Sequence, residues 1–532
     1  MTFNLLDEQW IPVRTSKGKR RRIAPWEMTS TLQDDPIAAV NSPRADFNGA
    51  LIQFLIGLVQ TSELIPPREP EWGRDFRSPP DPATLRRAFD VHRDAFFLSG
   101  DGPRFLQDMQ DLALHRGAQC HMADLLMDIP GNGHFVKARD RDGFCFGCTA
   151  TALYCLQTNA PEGGRGNFTG LRGGGPLTTI VLPPHERLWE TVWLNVVSKE
   201  DLASMPGNAS SNGKQYIFPW LAPTRTGAPT FPHDVHPLQL YWSMPRRIRI
   251  DFATLGSGIC DICGEASDSL VQRYFTRPHG VAYRGPWKHP LTPYSVDKDG
   301  APLSRKARAG SINYRNWIGL VVKNTETADK AGVQQLPALV VERFMENRRN
   351  AVRKGSRAPL WGFGYDMDHM RARCWFDGKI PIHAVSDHIV RAYEVQTERM
   401  VRAAITIGNY LNWCLKQAWF SERATVRGDF GFMDTAFWTG SEPDFFQHLN
   451  NLIDELEGYP GEPPAATLRS WHRYLCRLAM RLFDEYAASG PIEDEDPARI
   501  AKARNKLKGL NWGKKVRVDI LQLPEEQKTA TT

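Results

Sequence analysis

What this chain lacks narrows the reading first. Nine cysteines in 532 residues are too few for a disulfide scaffold. The longest nearly apolar run, Ala50 to Val59, covers about half a bilayer span and contains Gln53. No membrane-spanning helix is expected. The opening Met-Thr-Phe-Asn-Leu-Leu-Asp-Glu has neither a basic start nor an apolar signal core, so an unsecreted, cytoplasmic protein is expected. Neither a low-complexity tract nor an internal repeat shows. Nucleophile elbows of the form Gly-x-Ser-x-Gly are absent, as is His-Glu-x-x-His. The glycine-rich stretch Pro161 to Pro176 lacks the Lys-Ser/Thr ending of a P-loop, and Thr169 breaks the dinucleotide fingerprint.

What is present is ordinary globular composition, 41% hydrophobic and 24% charged, which excludes a wholly disordered chain. Sixteen tryptophans read as a large aromatic core. Net charge is a mild +6, so placement of charge matters more than its sum. Cations cluster at Lys17 to Arg22, at Arg343 to Arg357, and at Arg499 to Arg517 with Trp512. Each is a solvated face or a phosphate contact.

The chain pattern predicts strands over Leu5–Pro12 and Arg22–Ala24 around a basic hairpin tip, and a helix over Phe47–Thr61. It predicts a helix over Ala118–Pro130, a helix over Thr149–Thr158, and strands or buried segments over Leu177–Leu182 and Trp189–Val197. Character changes near Ile380. Ser386–Phe420 is one long helical pattern, with Ser386 and Asp387 as its cap. Helices follow from Ser441 to Gly458, over Ala465–Ala488, and from the acidic run Glu493–Asp496 to Lys508. The expected fold is α+β: a large mixed α/β N-terminal domain over 1–380, then an antiparallel four-helix bundle over 385–532.

Two Cys-x-x-Cys turns carry the strongest local chemistry: Cys145-Phe-Gly-Cys148 and Cys260-Asp-Ile-Cys263-Gly264. Four thiolates can surround one zinc ion tetrahedrally, with no position left open for catalysis. Intervening residues number 111, so the fold must bring the pairs together. The alternative is two unrelated pairs or one redox pair. Asp366-Met-Asp368-His369 is a weaker candidate for a divalent cation. In the glycine-rich stretch, Arg165 and Arg172 sit on a backbone free to approach a nucleic-acid groove.

Several segments in register resemble a known family. They are Asn4-Leu5-Leu6 with Trp10-Ile11-Pro12-Val13, the Cys145–Ala150 segment, and Asn159-Ala160-Pro161 through Gly170-Leu171-Arg172-Gly173-Gly174. Thr178-Thr179, Cys260 to Ser267 and Trp287-Lys288-His289-Pro290 join them. Together they resemble the large subunit (CasA) of the type I-E CRISPR surveillance complex, Cascade, over roughly residues 4–370. The resemblance implies a non-enzymatic subunit, one copy per complex. It implies that the chain recognises the PAM in double-stranded DNA, helps open the duplex, and recruits the effector helicase–nuclease. Its partners would be the other Cascade subunits with crRNA.

The resemblance also assigns residues, with departures. The loop anchoring the family near the crRNA falls on Phe135-Val136-Lys137, where Lys replaces Asn. The glycine loop falls on Glu162-Gly163-Gly164-Arg165, followed by Gly166; Glu162 and Arg165 replace two expected small residues, and Arg165 is expected to enter a narrow groove instead of bare backbone. The lysine finger falls on Pro278, so Arg277 or His279 is the expected substitute. The wedge falls on Gly364 to Met370, where Asp368, His369 and Met370 occupy the tip and no Gln is present. These departures imply a different or looser PAM preference. The competing readings are a free-standing zinc-dependent nucleic-acid enzyme and a zinc-stapled protein scaffold.

Overall fold

The computed structural model describes residues 2–31, 33–128, 143–164, 166–307, 312–323, 333–349, 357–368, 371–383, 385–420, 431–488 and 496–523. It divides into two compact units. The first is Met1–Ser311 with Pro337–Ala384, and the second is Ile312–Leu336 with Val385–Thr532.

The first unit is mixed α and β, with small sheets in place of one large one. Strands β1 (Ile11–Thr15), β2 (Arg20–Ile23) and β3 (Ile37–Val40) form an antiparallel sheet in the order β2-β1-β3. Ile11, Val13 and Thr15 are buried while Pro12 and Arg14 are less so, the period-two alternation of a one-sided strand. Helix α1 (Ala45–Thr61) is buried almost all round, because it runs through the centre of the unit. Its Phe54 meets Trp10, Phe96, Phe105, Tyr154 and Trp242 edge to face at 5.3–6.0 Å. Here lies the aromatic core that the tryptophan count predicts.

Strand β4 (Ala118–His121) and a short 3-10 turn, Met122–Leu125, occupy the segment expected to be helical. Cross-strand pairing overrides the local helix propensity there. Helix α2 (Phe146–Asn159) follows, then strand β5 (Thr178–Val181). Leu188–Leu194 is a short helix, α3, so the segment is buried as expected but helical rather than a strand. Strands β6 (Arg247–Ile250), β7 (Leu255–Ile259), β8 (Ala266–Val271) and β9 (Arg273–Arg277) come next. Strand β9 pairs antiparallel with both β4 and β6, and β7 pairs with β8. A long hairpin of β10 (Arg357–Asp368) and β11 (Arg371–His383) closes the unit, with β5 on the outer side of β10. Gly49 of α1 admits this hairpin: a Cβ there would lie 2.8 Å from the Trp375 ring and 2.9 Å from Phe363.

Two of the three basic clusters are reassigned in part by their contacts. Arg348 is fully buried, forked onto Glu69 at 2.6 and 2.8 Å, and donates to the Leu194 and Val196 carbonyls. Arg343 is held by Asp201 and Glu346. The described part of that cluster is therefore internal cross-linking, not a phosphate patch. In the hairpin cluster, Lys17, Lys19, Arg20 and Arg21 are exposed, but Arg22 turns inward.

The second unit contains helices α4 (Val390–Trp419), α5 (Gly431–Gly458), α6 (Ala465–Ala487) and α7 (Pro497–Asn511). Helix α4 packs on the other three, and α6 packs on α5 and α7. Helix α4 begins later than the cap expected at Ser386 and Asp387. Its N-cap is Ile389, which makes no side-chain cap bond. Helix α5 begins ten residues before Ser441, which lies inside it and back-bonds to the Phe437 carbonyl at 2.7 Å. Asp496 does cap α7, accepting from the Ala498 and Arg499 amides, with Pro497 in the first turn. Residues 312–336 group with these helices because Tyr314 stacks on Phe445 at 4.2 Å and Trp317 meets Phe445 and Phe446 at 5.8 Å. No helix among the described residues is long and apolar enough to cross a membrane.

Candidate metal cluster and nucleic-acid interface

The cysteine pairs meet because two backbone segments zip together ahead of them. Phe144 and Val271 exchange amide-to-carbonyl bonds, both 2.9 Å, which docks the start of α2 beside strand β8. The Gly143 amide donates to the Asp261 carboxylate at 2.8 Å, and the Asp261 amide donates to the Gly143 carbonyl at 3.1 Å. Cys145 is thereby fixed at the N-cap of α2, with Cys148 in its first turn. Cys260 and Cys263 lie in the turn between β7 and β8, whose left-handed corner is Gly264 at φ +74°.

All four Sγ atoms lie within 4.8 Å of one another, and Cys145 and Cys263 are 3.9 Å apart. A tetrahedral ion with sulfur bonds of about 2.3 Å sets its ligands about 3.8 Å apart. The Cys145 amide points at the Cys260 sulfur from 3.3 Å, a donor suited to thiolate. Hydrogen bonding from Cys145, and then from Cys148, holds the Cys263 thiol down at about 6. Arg22 of β2 reaches across to Cys263 at 3.2 Å and to Glu265 at 2.8 Å. The cluster could hold a metal ion. Among the described residues it is the single group of three or more such ligands. Asp366 of the weaker candidate is instead paired with Arg373 at 2.7 Å.

The glycine loop forms a second centre. Gly164 and Gly166 both have φ +75°. The loop closes on itself, with Gly163 N–H donating to the Asn167 carbonyl at 3.0 Å and Asn167 N–H to Gly164 at 3.1 Å. The His279 amide donates to the Gly166 carbonyl at 2.8 Å. A Cβ on Gly166 would stand 2.5 Å from that amide nitrogen, so only glycine fits. His279 itself is left-handed at φ +65°, just past Arg277, the last residue of β9. The structure thus brings Gly163, Gly164 and Gly166 together with the Arg277–His279 turn.

Arg246 is not singled out by the sequence. It donates to the Pro161 carbonyl at the loop's start and lies against Gly163, and burial pushes its guanidinium down to about 10. Its signal is the Arg246-Arg247 doublet entering a strand. Arg172 proves to be structural. It is buried and donates to Gln53 at 2.7 Å and to Thr178 and Thr292 at 3.2 Å, so it cannot face a groove.

At the far end of the stretch, Gly175 lies against Met367 and the Tyr365 carbonyl on β10. Asp368 ends that strand opposite Arg371 of β11. Arg165, His369, Met370, Phe135, Val136 and Lys137 lie outside the described residues.

Comparison with known proteins identifies the lineage. The family of CRISPR-associated protein Cse1 matches residues 4–482. The chain belongs to the Cse1 family. CasA of Thermus thermophilus has the same fold at TM-score 0.68 and 16% identity, with 96% of this chain and 99% of that one covered. Cse1 of Thermobifida fusca gives 0.70 and 14%, over 98% and 99%. A chain of a CRISPR RNA-guided surveillance complex gives 0.65 and 17%, over 96% and 100%. The resemblance read from the sequence is therefore to the right family. Within the Cse1 fold, both centres belong to the first unit: the cysteine cluster staples α2 to the β7–β8 turn, and the glycine loop sits on the end of β9.

Proposed function

We propose that this chain is the non-catalytic large subunit of a crRNA-guided type I-E Cascade complex. In this reading it recognises the PAM in double-stranded DNA, helps open the duplex, and helps recruit the effector helicase–nuclease. It acts in the cytoplasm, one copy per complex, beside the other Cascade subunits. Its first unit reads DNA and docks on the complex, and its C-terminal helices form an antiparallel four-helix bundle.

The observation that carries the reading is the main-chain bond from His279 to Gly166. It fixes Gly163, Gly164 and Gly166 beside the turn that follows Arg277, and in this reading the glycine backbone and that cation meet one ligand. Minor-groove readers need both a close backbone approach and a cation for the groove's negative potential. In this reading Asp368, His369 and Met370, in sequence between the paired strands β10 and β11, are the wedge. Family membership supports the assignment.

We assign zinc to the cysteine cluster, because four sulfur donors at tetrahedral spacing suit that ion. Bound there, it would supply a cross-link without chemistry of its own. Arg22 offsets part of the negative charge that four thiolates bring.

The test is duplex binding by the reconstituted complex, with and without this chain, across a randomised PAM library. PAM-dependent binding that appears only with the chain supports the reading. Unchanged binding and preference reject it in favour of a scaffold.

A further inference from the structure

The second unit carries a row of cations that the function above does not use. On α6, Arg469, Arg473, Arg477 and Arg481 stand at every fourth position. The same helix buries Leu468, Trp471, Leu475, Leu478 and Leu482. At 3.6 residues per turn the four arginines fall on the opposite side, stepping about 6 Å along the axis for about 18 Å in all. Arg473, Arg477 and Arg481 are exposed, and Arg469 is half-buried. Among the described residues, Arg469, Arg477 and Arg481 form no ion pair with a carboxylate, whereas Arg473 has a partner of its own, so three guanidiniums are open to phosphates. Arg504 of α7 shows the contrast: it forks onto Asp484 at 2.6 and 2.8 Å and is neutralised.

A second row flanks the first. Four-residue steps from Arg504 reach the exposed Lys508 and then Trp512. The Trp512 indole is 43% exposed and stands edge-on to His472 of α6 at 5.0 Å. His472 also bonds to the Asn511 carbonyl at 2.8 Å, and Arg504 is tied to Asp484, so the row runs antiparallel alongside α6.

We propose that this face binds the phosphodiester backbone of a single-stranded nucleic acid. The guanidinium forks take successive phosphates, and Trp512 is a platform on which an unpaired base stacks. Planar forks match phosphate oxygens two at a time. An acidic peptide would satisfy the arginines but leave the exposed indole idle, and a duplex would hide its base faces. Single strands need both parts. The inference is independent of PAM reading: it concerns the other unit and requires no sequence.

The test uses the full chain and a fluorescein-labelled oligothymidine of about 20 nucleotides. Anisotropy titrations run across a range of salt concentrations. R469Q/R477Q/R481Q is expected to weaken binding at least ~10-fold and to flatten the salt slope by about 2, since each single-strand phosphate contact contributes about 0.7. Trp512→Ala is expected to weaken binding several-fold with the slope unchanged, because stacking releases no counterions. The exposed, charge-matched set R68Q/R77Q/R87Q in the first unit is expected to leave both within about two-fold. Equal losses in the two triple variants overturn the proposal. So do an unchanged slope in the α6 variant, a preference for duplex, or no binding by the unaltered chain. Circular dichroism confirms that the outward substitutions leave the helices folded.

Discussion

The cysteine cluster and the glycine loop lie in one unit and are built on opposite principles. In the first, side chains form the site and backbone serves them: amides of Gly143, Cys145 and Asp261 hold four thiols in place. In the second, backbone forms the proposed site, and at Gly166 a side chain is excluded by the His279 main chain. A thiol can be recognised by its spacing in any sequence. A glycine is recognisable as functional only when its surroundings show what a methyl group would strike.

The sharpest way to break that comparison is to remove one cysteine. Cys260→Ser should abolish stoichiometric metal by mass spectrometry and cost about 5 kcal/mol or more in chemical denaturation, given what structural zinc sites contribute. Full metal retention would show that the four sulfurs do not act together.

Gly166→Ala should cost about 1–3 kcal/mol, since it combines a left-handed φ with a Cβ 2.5 Å from the His279 nitrogen. It should also eliminate PAM-dependent binding.

Gly164→Ala separates reading from folding. It has the same φ, but a Cβ there has no neighbour within 4 Å. It should cost about 1–2 kcal/mol in stability, yet weaken duplex binding by as much as its neighbour does. A stable Gly164→Ala protein with full PAM-dependent binding would refute close backbone approach.

The smallest effect is expected at Arg22. Its side chain is partly exposed, so Arg22→Gln should cost only about 1 kcal/mol. The same variant should speed metal loss to a chelator several-fold, because the thiolates lose their nearest cation. An unaltered release rate would limit Arg22 to its ion pair with Glu265.

Legibility in the sequence follows the same division. The two Cys-x-x-Cys turns are readable from spacing, although their meeting depends on the Phe144–Val271 ladder, which no local pattern announces. Helices α1, α2, α4 and α6 are readable because their apolar periodicity is long. Ala118–His121 misleads because a four-residue strand takes its conformation from β9, its neighbour in space. Arg172 and Arg348 look like surface cations in sequence. Their roles are set by partners far along the chain: Gln53 for one, Glu69 for the other. The loop residues come from family resemblance. That Gly166 and His279 touch is invisible in sequence, because the contact spans more than a hundred residues and runs through main-chain atoms.

The distance between the cysteine pairs also has a consequence for synthesis. A ribosome that has made Cys145 and Cys148 must add another 111 residues before Cys260 exists. Until then the growing chain offers two of the cluster's four sulfurs, a weak and exchangeable grip on any ion. Capture becomes firm only after the β7–β8 turn has been made and the Phe144–Val271 ladder has closed a long loop at an entropic cost. With zinc assigned to the cluster as proposed, firm metal capture would therefore mark the point in synthesis at which the middle of the chain has found its place.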